Sequence, residues 1–258
     1  MKRIAAIIFF AVFLLIGSAT TAYAAGASMP LPQINIGIGA SDDPLAIAPT
    51  LQLLFLVSVL TLLPTLLLML TGFTRIIIVL HFLRSAMGTQ QMPPNQVLLG
   101  LALFLTIFMM SPVITEINDN AWQPFTTGQI TQQEALDRGF APLRHFMSSQ
   151  LDSNDVGLFM ELAGMGTIDN LEDVPVRVLI PAFILGELAR GFMIGFILYL
   201  PFIVIDMVVA SVLMAMGMMM LPPAMISLPF KILLFILAGG WNIVIRYVMM
   251  TFRDVPMG

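Results

Sequence analysis

The sequence contains no cysteine, and only 10% of its 258 residues are charged. A chain without thiols forms no disulfide framework, and it has no cysteine to act as a nucleophile or to bind a metal ion. The absence is compatible with an oxidising compartment. The charged fraction is far below the roughly 25% that is typical of soluble domains. An ordinary soluble domain is therefore excluded by composition.

Apolar residues take the place of the missing charges. Hydrophobic residues make up 59% of the chain, and the mean hydropathy is +0.97. Such a composition is typical of a membrane protein, or of a core that excludes water as a membrane does.

The first residues have the three parts of a secretory signal peptide. Two basic residues precede an apolar run at 4–16, and small residues then lead to an A-x-A motif at 22–24. We predict that residues 1–24 are cleaved, which leaves the mature chain beginning on the outer face of a bacterial inner membrane. The alternative is an uncleaved signal anchor. Residues 25–50, rich in proline, glycine, alanine and serine, are interpreted as a lead-in.

Residues 51–115 are predicted to form a first hydrophobic helical hairpin. The uncharged run at 51–73 is long enough to cross a bilayer, and a second uncharged run occupies 97–113. Arg75 and Arg84 follow the first run, as expected where a helix reaches the cytoplasmic side of a membrane.

Residues 116–178 are polar and acidic, which predicts an exported helical segment in the periplasm. The T-x-x-E spacing of Thr131 and Glu134 is that of a capping box, so a short amphipathic helix should begin there. His145 is interpreted as an ordinary surface or packing residue, and the segment shows no cluster with metal-ligand spacing. We interpret it as a platform for protein contacts. Ten acidic residues stand against three arginines: Glu116, Asp119, Glu134, Asp137, Asp152, Asp155, Glu161, Asp169, Glu172 and Asp173 against Arg138, Arg144 and Arg177.

Residues 179–258 are predicted to form a second hydrophobic hairpin that carries charges within its apolar runs. Glu187 and Arg190 are three residues apart and share a helix face. Gly191 and Gly195 have the G-x-x-x-G spacing that lets another helix approach closely. A charged side chain that faces lipid costs about 2.5 to 3.5 kcal/mol, so these charges must be paired, hydrated or sheltered.

Asp206 and Lys231 lie on either side of a turn predicted near residues 220–223. At about 1.5 Å of rise per residue, their backbones come within one to two helical turns of the same height. We predict an Asp–Lys pair that braces the arms of the hairpin. For the set of Glu187, Arg190, Asp206 and Lys231, two hypotheses stay open: inter-helix or inter-subunit pairing, and a proton or ion relay.

The stretch MAMGMMMLPPAM at 214–225 packs six methionines into twelve residues. Counting spans places this turn towards the cytoplasm, yet it holds no basic residue, and Arg246 and Arg253 fall at the opposite end. A buried element at the axis of an oligomer explains this better, because unbranched thioethers can form a yielding seal. The alternatives are generic apolar filling, Cu(I) binding by thioethers and a lipid-facing turn.

Four stretches resemble one family. They are PAFILGELARGFMIGFILYLP (181–201), LPPAMISLPFKILLFILAGGW (221–241), the MAMGMMM between them (214–220), and TRIIIVLHFLRSAMGTQQMPPNQVLLGLALFLTIFMMSPV (74–113). Together they are similar to the FliP family of flagellar export-gate proteins, whose injectisome counterpart is SctR. One departure is Gly186, where the family usually has serine.

The resemblance implies an all-α fold of hydrophobic helical hairpins with a small helical periplasmic segment, assembled as an oligomeric pore. It implies a pentamer of FliP copies with FliQ, FliR, FlhB and FlhA homologues as partners, and no nucleic acid. Such a gate passes unfolded flagellar subunits across the inner membrane, within the flagellum basal body. It implies no enzyme activity and no cofactor.

The resemblance also implies roles for residues. Met218, Met219 and Met220 match a pore gasket, which Met214 and Met216 would support. Glu187, Arg190, Asp206 and Lys231 are then inter-helix or inter-subunit charge pairs. The family's helices are largely raised out of the bilayer, which would explain the failure of the charge rule. The rival function is a proton- or ion-coupled small-solute transporter that uses the four charges as its relay.

Overall fold

A computed structural model describes the chain at residues 44–89, 91–166, 171–218 and 220–252. Every regular element within these ranges is a helix, which confirms the predicted all-α class for the described residues. The predicted signal peptide, residues 25–43 of the predicted lead-in, and residues Asp169, Met219 and Arg253 lie outside them, while residues 44–50 of the lead-in are helical. The chain divides into two compact units, Met1–Leu56 and Val57–Gly258. The described part of the first unit is the beginning of one helix, and the sites below all lie in the second.

The predicted first hydrophobic region contains four helices. They are α1 (Pro44–Met69), α2 (Phe73–Ala86), α3 (Asn95–Met109) and α4 (Ser111–Ile117). α3 is followed by a bend of 56° into the segment Ser111–Thr126, and a proline in the first turn of α4 marks the restart. A π-helical turn (Asn118–Trp122) and the short α5 (Gln123–Thr126) complete this segment.

The acidic segment folds as two longer helices, α6 (Gln132–Gln150) and α7 (Ser153–Leu162), followed by a 3-10 turn at Leu171–Asp173. The Thr131 hydroxyl accepts a hydrogen bond from the Glu134 N–H at 3.3 Å. The helix start predicted at Thr131 is therefore confirmed, and this N-cap satisfies one of the free donors at the start of α6, while the Glu134 carboxylate pairs with Arg138 instead.

The second hydrophobic region is built from α8 (Val176–Ala215), α9 (Pro223–Leu237) and α10 (Gly240–Met250). α9 and α10 are bent by 67° relative to each other. Gly239 lies between them with φ +62°, a left-handed conformation that glycine adopts without steric cost.

The core lies where α2 packs against α8. The apolar face of α2 follows a helical repeat through Ile76, Val79, Leu80 and Leu83, all almost completely buried. The facing residues of α8 alternate large and small side chains, which lets the helices come close. This crossing brings Arg75 of α2 and Glu187 of α8 together.

α8 is long and apolar enough to cross a membrane, as judged by length and composition. Within the described residues, three further spans are possible if each bent pair of shorter helices is counted as one.

Candidate functional site

Glu187 and Arg75 form a buried ion pair at the crossing of α2 and α8. Both side chains are fully shielded from solvent. Arg75 Nε donates to Glu187 Oε2 at 3.0 Å, and Arg75 Nη2 donates to Glu187 Oε1. This two-point contact is the strongest geometry that an arginine and a carboxylate can adopt.

Arg75 also contacts groups from two other parts of the chain. Its Nη1 donates to the Thr251 carbonyl at 2.8 Å and to the Thr251 hydroxyl at 3.1 Å. Its Nη2 lies 3.4 Å from Gln150 Oε1, and its Cζ lies 4.0 Å from the centre of the Phe252 ring. Arg75 is therefore buried inside the fold rather than exposed beside an apolar run, and its burial is tolerated because every edge of the guanidinium finds a partner.

Arg190 connects α8 to α7. Its Nη2 lies 3.2 Å from Asp152 Oδ2 and 3.1 Å from Asp155 Oδ2, and its Nη1 lies 3.4 Å from Glu187 Oε1. Gly186 leaves room for this cluster, because a Cβ there would lie 2.8 Å from Asp155 Oδ2.

Gly191 and Gly195 lie against the next turns of α2. A Cβ on Gly191 would lie 3.2 Å from Ile78, and one on Gly195 would lie 2.5 Å from the Phe82 ring. The two glycines therefore set how closely α8 and α2 approach.

Asp206 and Lys231 meet across the hairpin of α8 and α9. Lys231 Nζ lies 2.6 Å from Asp206 Oδ2, and the buried Ser227 hydroxyl donates to Asp206 Oδ1 at 2.5 Å. The Lys231 side chain is almost completely buried, while the Asp206 side chain is 37% exposed. Lys231 Nζ also approaches the end of α2, since it lies 3.8 Å from where a Cβ on Gly88 would be.

The methionine-rich turn joins these two helices. Gly217 has φ +73°, which ends α8 in a left-handed conformation, and α9 restarts with a proline in its first turn. Met220 is 98% exposed, and the side chains of Met214, Met216 and Met218 are exposed as well. In the single chain, the described thioethers of the turn are thus free of the packed core.

The geometry brings together most of the residues singled out in the sequence, but in two separate sites. Glu187, Arg190, Gly191 and Gly195 lie at the α2–α8 crossing, while Asp206 and Lys231 lie nearer the turn. Within the described residues, no three His, Asp or Glu side chains are grouped to hold a metal ion.

Sequence reasoning missed the residues that complete both sites: Arg75, Gln150, Ser227, Thr251 and Phe252. Two signals could have found some of them. An arginine in the first turn of an apolar helix needs a buried partner, and Glu187 offered one. Ser227 lies one helical turn before Lys231, so it shares the face of α9 that meets Asp206.

Comparison with known proteins shows the family of this chain. The family model for the FliP family matches residues 56–248. The flagellar biosynthetic protein FliP of Bacillus subtilis (strain 168) is 49% identical over 217 residues, which are 84% of this chain and 98% of that protein. The protein of the same name from Pectobacterium carotovorum subsp. carotovorum is 55% identical over 196 residues, 76% of each chain. That from Borreliella burgdorferi is 45% identical over 241 residues, 92% of this chain and 93% of that protein. This chain belongs to the FliP family.

Proposed function

We propose that this chain is a flagellar biosynthetic protein, a component of flagellar export, and that copies of it form the pore of the type III secretion export gate. In this role the gate passes unfolded flagellar subunits across the bacterial inner membrane, with FliQ, FliR, FlhB and FlhA homologues as partners. The acidic segment at 116–178 faces the periplasm, and the work of the chain is structural rather than catalytic. Family membership and the names of the relatives support the proposal.

The observation that carries the pore role is the exposed methionine-rich turn at the end of a braced hairpin. The buried Lys231 and its partner Asp206 tie α8 to α9 below the turn. Met218 and Met220 are exposed beyond it. Methionine has several rotatable bonds and no branch, so a ring of such side chains can close on itself and still yield to a polypeptide.

The length of α8 supports a position partly outside the bilayer. Its 40 residues extend about 60 Å, roughly twice the ~30 Å hydrocarbon core of a bilayer. Part of this apolar helix then extends beyond the hydrocarbon core, which favours a cover of protein there. Such shelter suits a helix that carries Glu187 and Arg190 within its length.

An apolar groove beside the turn supports self-association. Val204, Val208 and Val212 of α8 line it together with Ile226 and Phe230 of α9, around a volume of 470 Å³. A neighbouring copy that fills this groove would bring the turns of the two copies together. An interface of this kind is what a closed ring needs.

The contacts of the charged residues favour pairing over a proton relay. Both oxygens of Glu187 accept hydrogen bonds from Arg75, whose guanidinium does not deprotonate in proteins. Glu187 is completely buried, so it lacks the water contact that a relay would use. Asp206 is more exposed, but it is held by Lys231 and Ser227.

The test removes the seal and measures leak and export together. In the native bacterium, the chromosomal copy is replaced by a variant that lacks residues 218–220. We expect a rise in ion or dye leak through the assembled gate, while the variant still assembles. Replacement of Met218, Met219 and Met220 by leucine is the matched control, since leucine keeps the turn apolar. It should preserve the seal but slow the secretion of flagellar subunits, because leucine is branched and yields less.

Purification separates the proposal from its rival. A closed homo-oligomer that captures FliQ and FliR homologues supports the gate. A monomer that conducts protons in liposomes, and loses that flux in Asp206→Asn, would support the transporter instead. An unchanged leak in a correctly assembled deletion variant would contradict the role of the turn as the seal.

A further inference from the structure

The two residues that follow α10 dock onto the guanidinium of Arg75. Glu187 occupies the edge of that group formed by Nε and Nη2. The opposite edge, Nη1, donates to the carbonyl and the hydroxyl of Thr251. The face is covered by the Phe252 ring at 4.0 Å, within the range of a cation–π contact. A guanidinium is planar and rigid, so partners on its far edge and its face fix the direction of the near edge.

The Phe252 ring also fits the backbone at the start of α2. It is 5% exposed. A Cβ on Gly72 would lie 2.4 Å from a carbon of this ring and 2.5 Å from Met109. The ring therefore lies where only a glycine leaves space, one turn before Arg75. This close fit indicates a packed contact, because a loosely placed Phe252 ring would not require a glycine at position 72.

We infer that Thr251 and Phe252 are positioning residues, which dock on Arg75 and hold its guanidinium across Glu187. α10 follows α9, and α9 carries Lys231. Thr251 and Phe252 therefore anchor the end of α10, and through it the pair of helices α9 and α10 that follows the methionine-rich turn. When they release, Arg75 loses the partners on its far edge and its face, and Glu187 is shared with Arg190, which already lies 3.4 Å away.

The test uses the absence of cysteine in the chain. Met249 is buried in the last turn of α10, while the neighbouring Met250 is exposed. In the purified full chain in detergent, Met249→Cys reports release of the segment by its reaction rate with a water-soluble maleimide. Met250→Cys should react quickly in every background and is the accessibility control.

Arg75→Lys and Phe252→Leu should each raise the labelling rate of Met249→Cys by about tenfold, because each removes the stacked contact and Arg75→Lys also removes charged hydrogen bonds. Thr251→Val keeps the carbonyl contact and should raise the rate by about threefold. Arg84→Lys is the matched control on the same helix, since Arg84 contacts His81 and Asn95 instead, and it should leave the rate unchanged.

A double variant distinguishes positioning from independent packing. If Phe252 acts through Arg75, the combined Arg75→Lys and Phe252→Leu variant should label no faster than the faster single variant. The inference would be overturned if the rate increases of the two single variants multiplied in the double variant. It would also be overturned if Phe252→Leu left the labelling rate of Met249→Cys unchanged, or if Met249→Cys without a second substitution already reacted as fast as Met250→Cys. If Arg75→Lys does not accumulate, the labelling rates of Phe252→Leu and Thr251→Val test the inference, because neither of these substitutions removes a charge. The readout needs no export, so the inference and the proposed function can fail separately.

Discussion

Two of the ion pairs of α8 join an acid of this helix to a base of a neighbouring helix, but they are built differently. Glu187 meets an arginine 112 residues earlier in the chain, and groups from two further segments surround that arginine. Asp206 meets a lysine only 25 residues later, on the next helix, and its side chain keeps contact with the solvent. The first pair is therefore a junction of the whole fold, and the second is a local brace of one hairpin.

The junction should show the largest effect when it is broken. Glu187→Ala leaves Arg75 buried without its countercharge, and we expect the free energy of unfolding to fall by about 3 to 5 kcal/mol. Chemical denaturation of the detergent-solubilised protein measures it. Arg138→Ala is the control, because its pair with Glu134 is exposed and should contribute about 1 kcal/mol or less.

A combined Arg75→Met and Glu187→Leu variant sharpens this result. Replacement of both charges by apolar side chains removes the unpaired charge, so much of the lost stability should return. An unfolding curve of Glu187→Ala that matches the parent's would show that the junction does not hold the fold together.

The brace should respond asymmetrically to the loss of each partner. Asp206→Ala leaves the amine of Lys231 buried and unpaired, and it should cost about 3 kcal/mol. Lys231→Ala leaves Asp206 in contact with solvent and with Ser227, and it should cost about 1 to 2 kcal/mol. Thermal unfolding of the two single variants, side by side, checks the order. Equal losses would mean that the exposure of Asp206 does not matter.

The same contrast explains what the sequence could predict. The brace could be predicted because Asp206 and Lys231 flank one turn, so a count of helical rise sufficed to compare their heights. The helix start at Thr131 could be predicted because its N-cap signal is local. The junction could not be predicted in the same way, because its partners come from α2, α6, α8 and the residues after α10, and only tertiary packing brings these together. The partners of Arg75 were missed, since a charge at the edge of an apolar run is equally typical of a membrane boundary.

The close approach of α2 and α8 should have a smaller effect than the junction and one comparable to that of the brace. Gly195→Ala would place a Cβ 2.5 Å from the Phe82 ring, so the helices must shift, and we expect a loss of about 1 to 3 kcal/mol. Gly191→Ala meets Ile78 at 3.2 Å and should cost less. Gly100→Ala, in α3 with open space around it, should instead stabilise by about 0.5 to 1 kcal/mol through helix propensity. Denaturant midpoints of the three variants test this ranking, and a neutral Gly195→Ala would refute the close contact.

The methionine-rich turn should show the smallest effect on stability, because it lies beyond the brace. Met220 is 98% exposed, so Met220→Ala removes little packed surface from the single chain, and the free energy of unfolding should change by about 0.5 kcal/mol or less. Met147 is the matched control, since it is fully buried, and Met147→Ala should cost about 2 to 5 kcal/mol. Denaturation of the dissociated chain in detergent separates the two. The comparison matters for function because a seal must yield without unfolding its support. If Met220→Ala were as costly as Met147→Ala, the turn would be part of the packed fold, and its thioethers would not be available to close a pore.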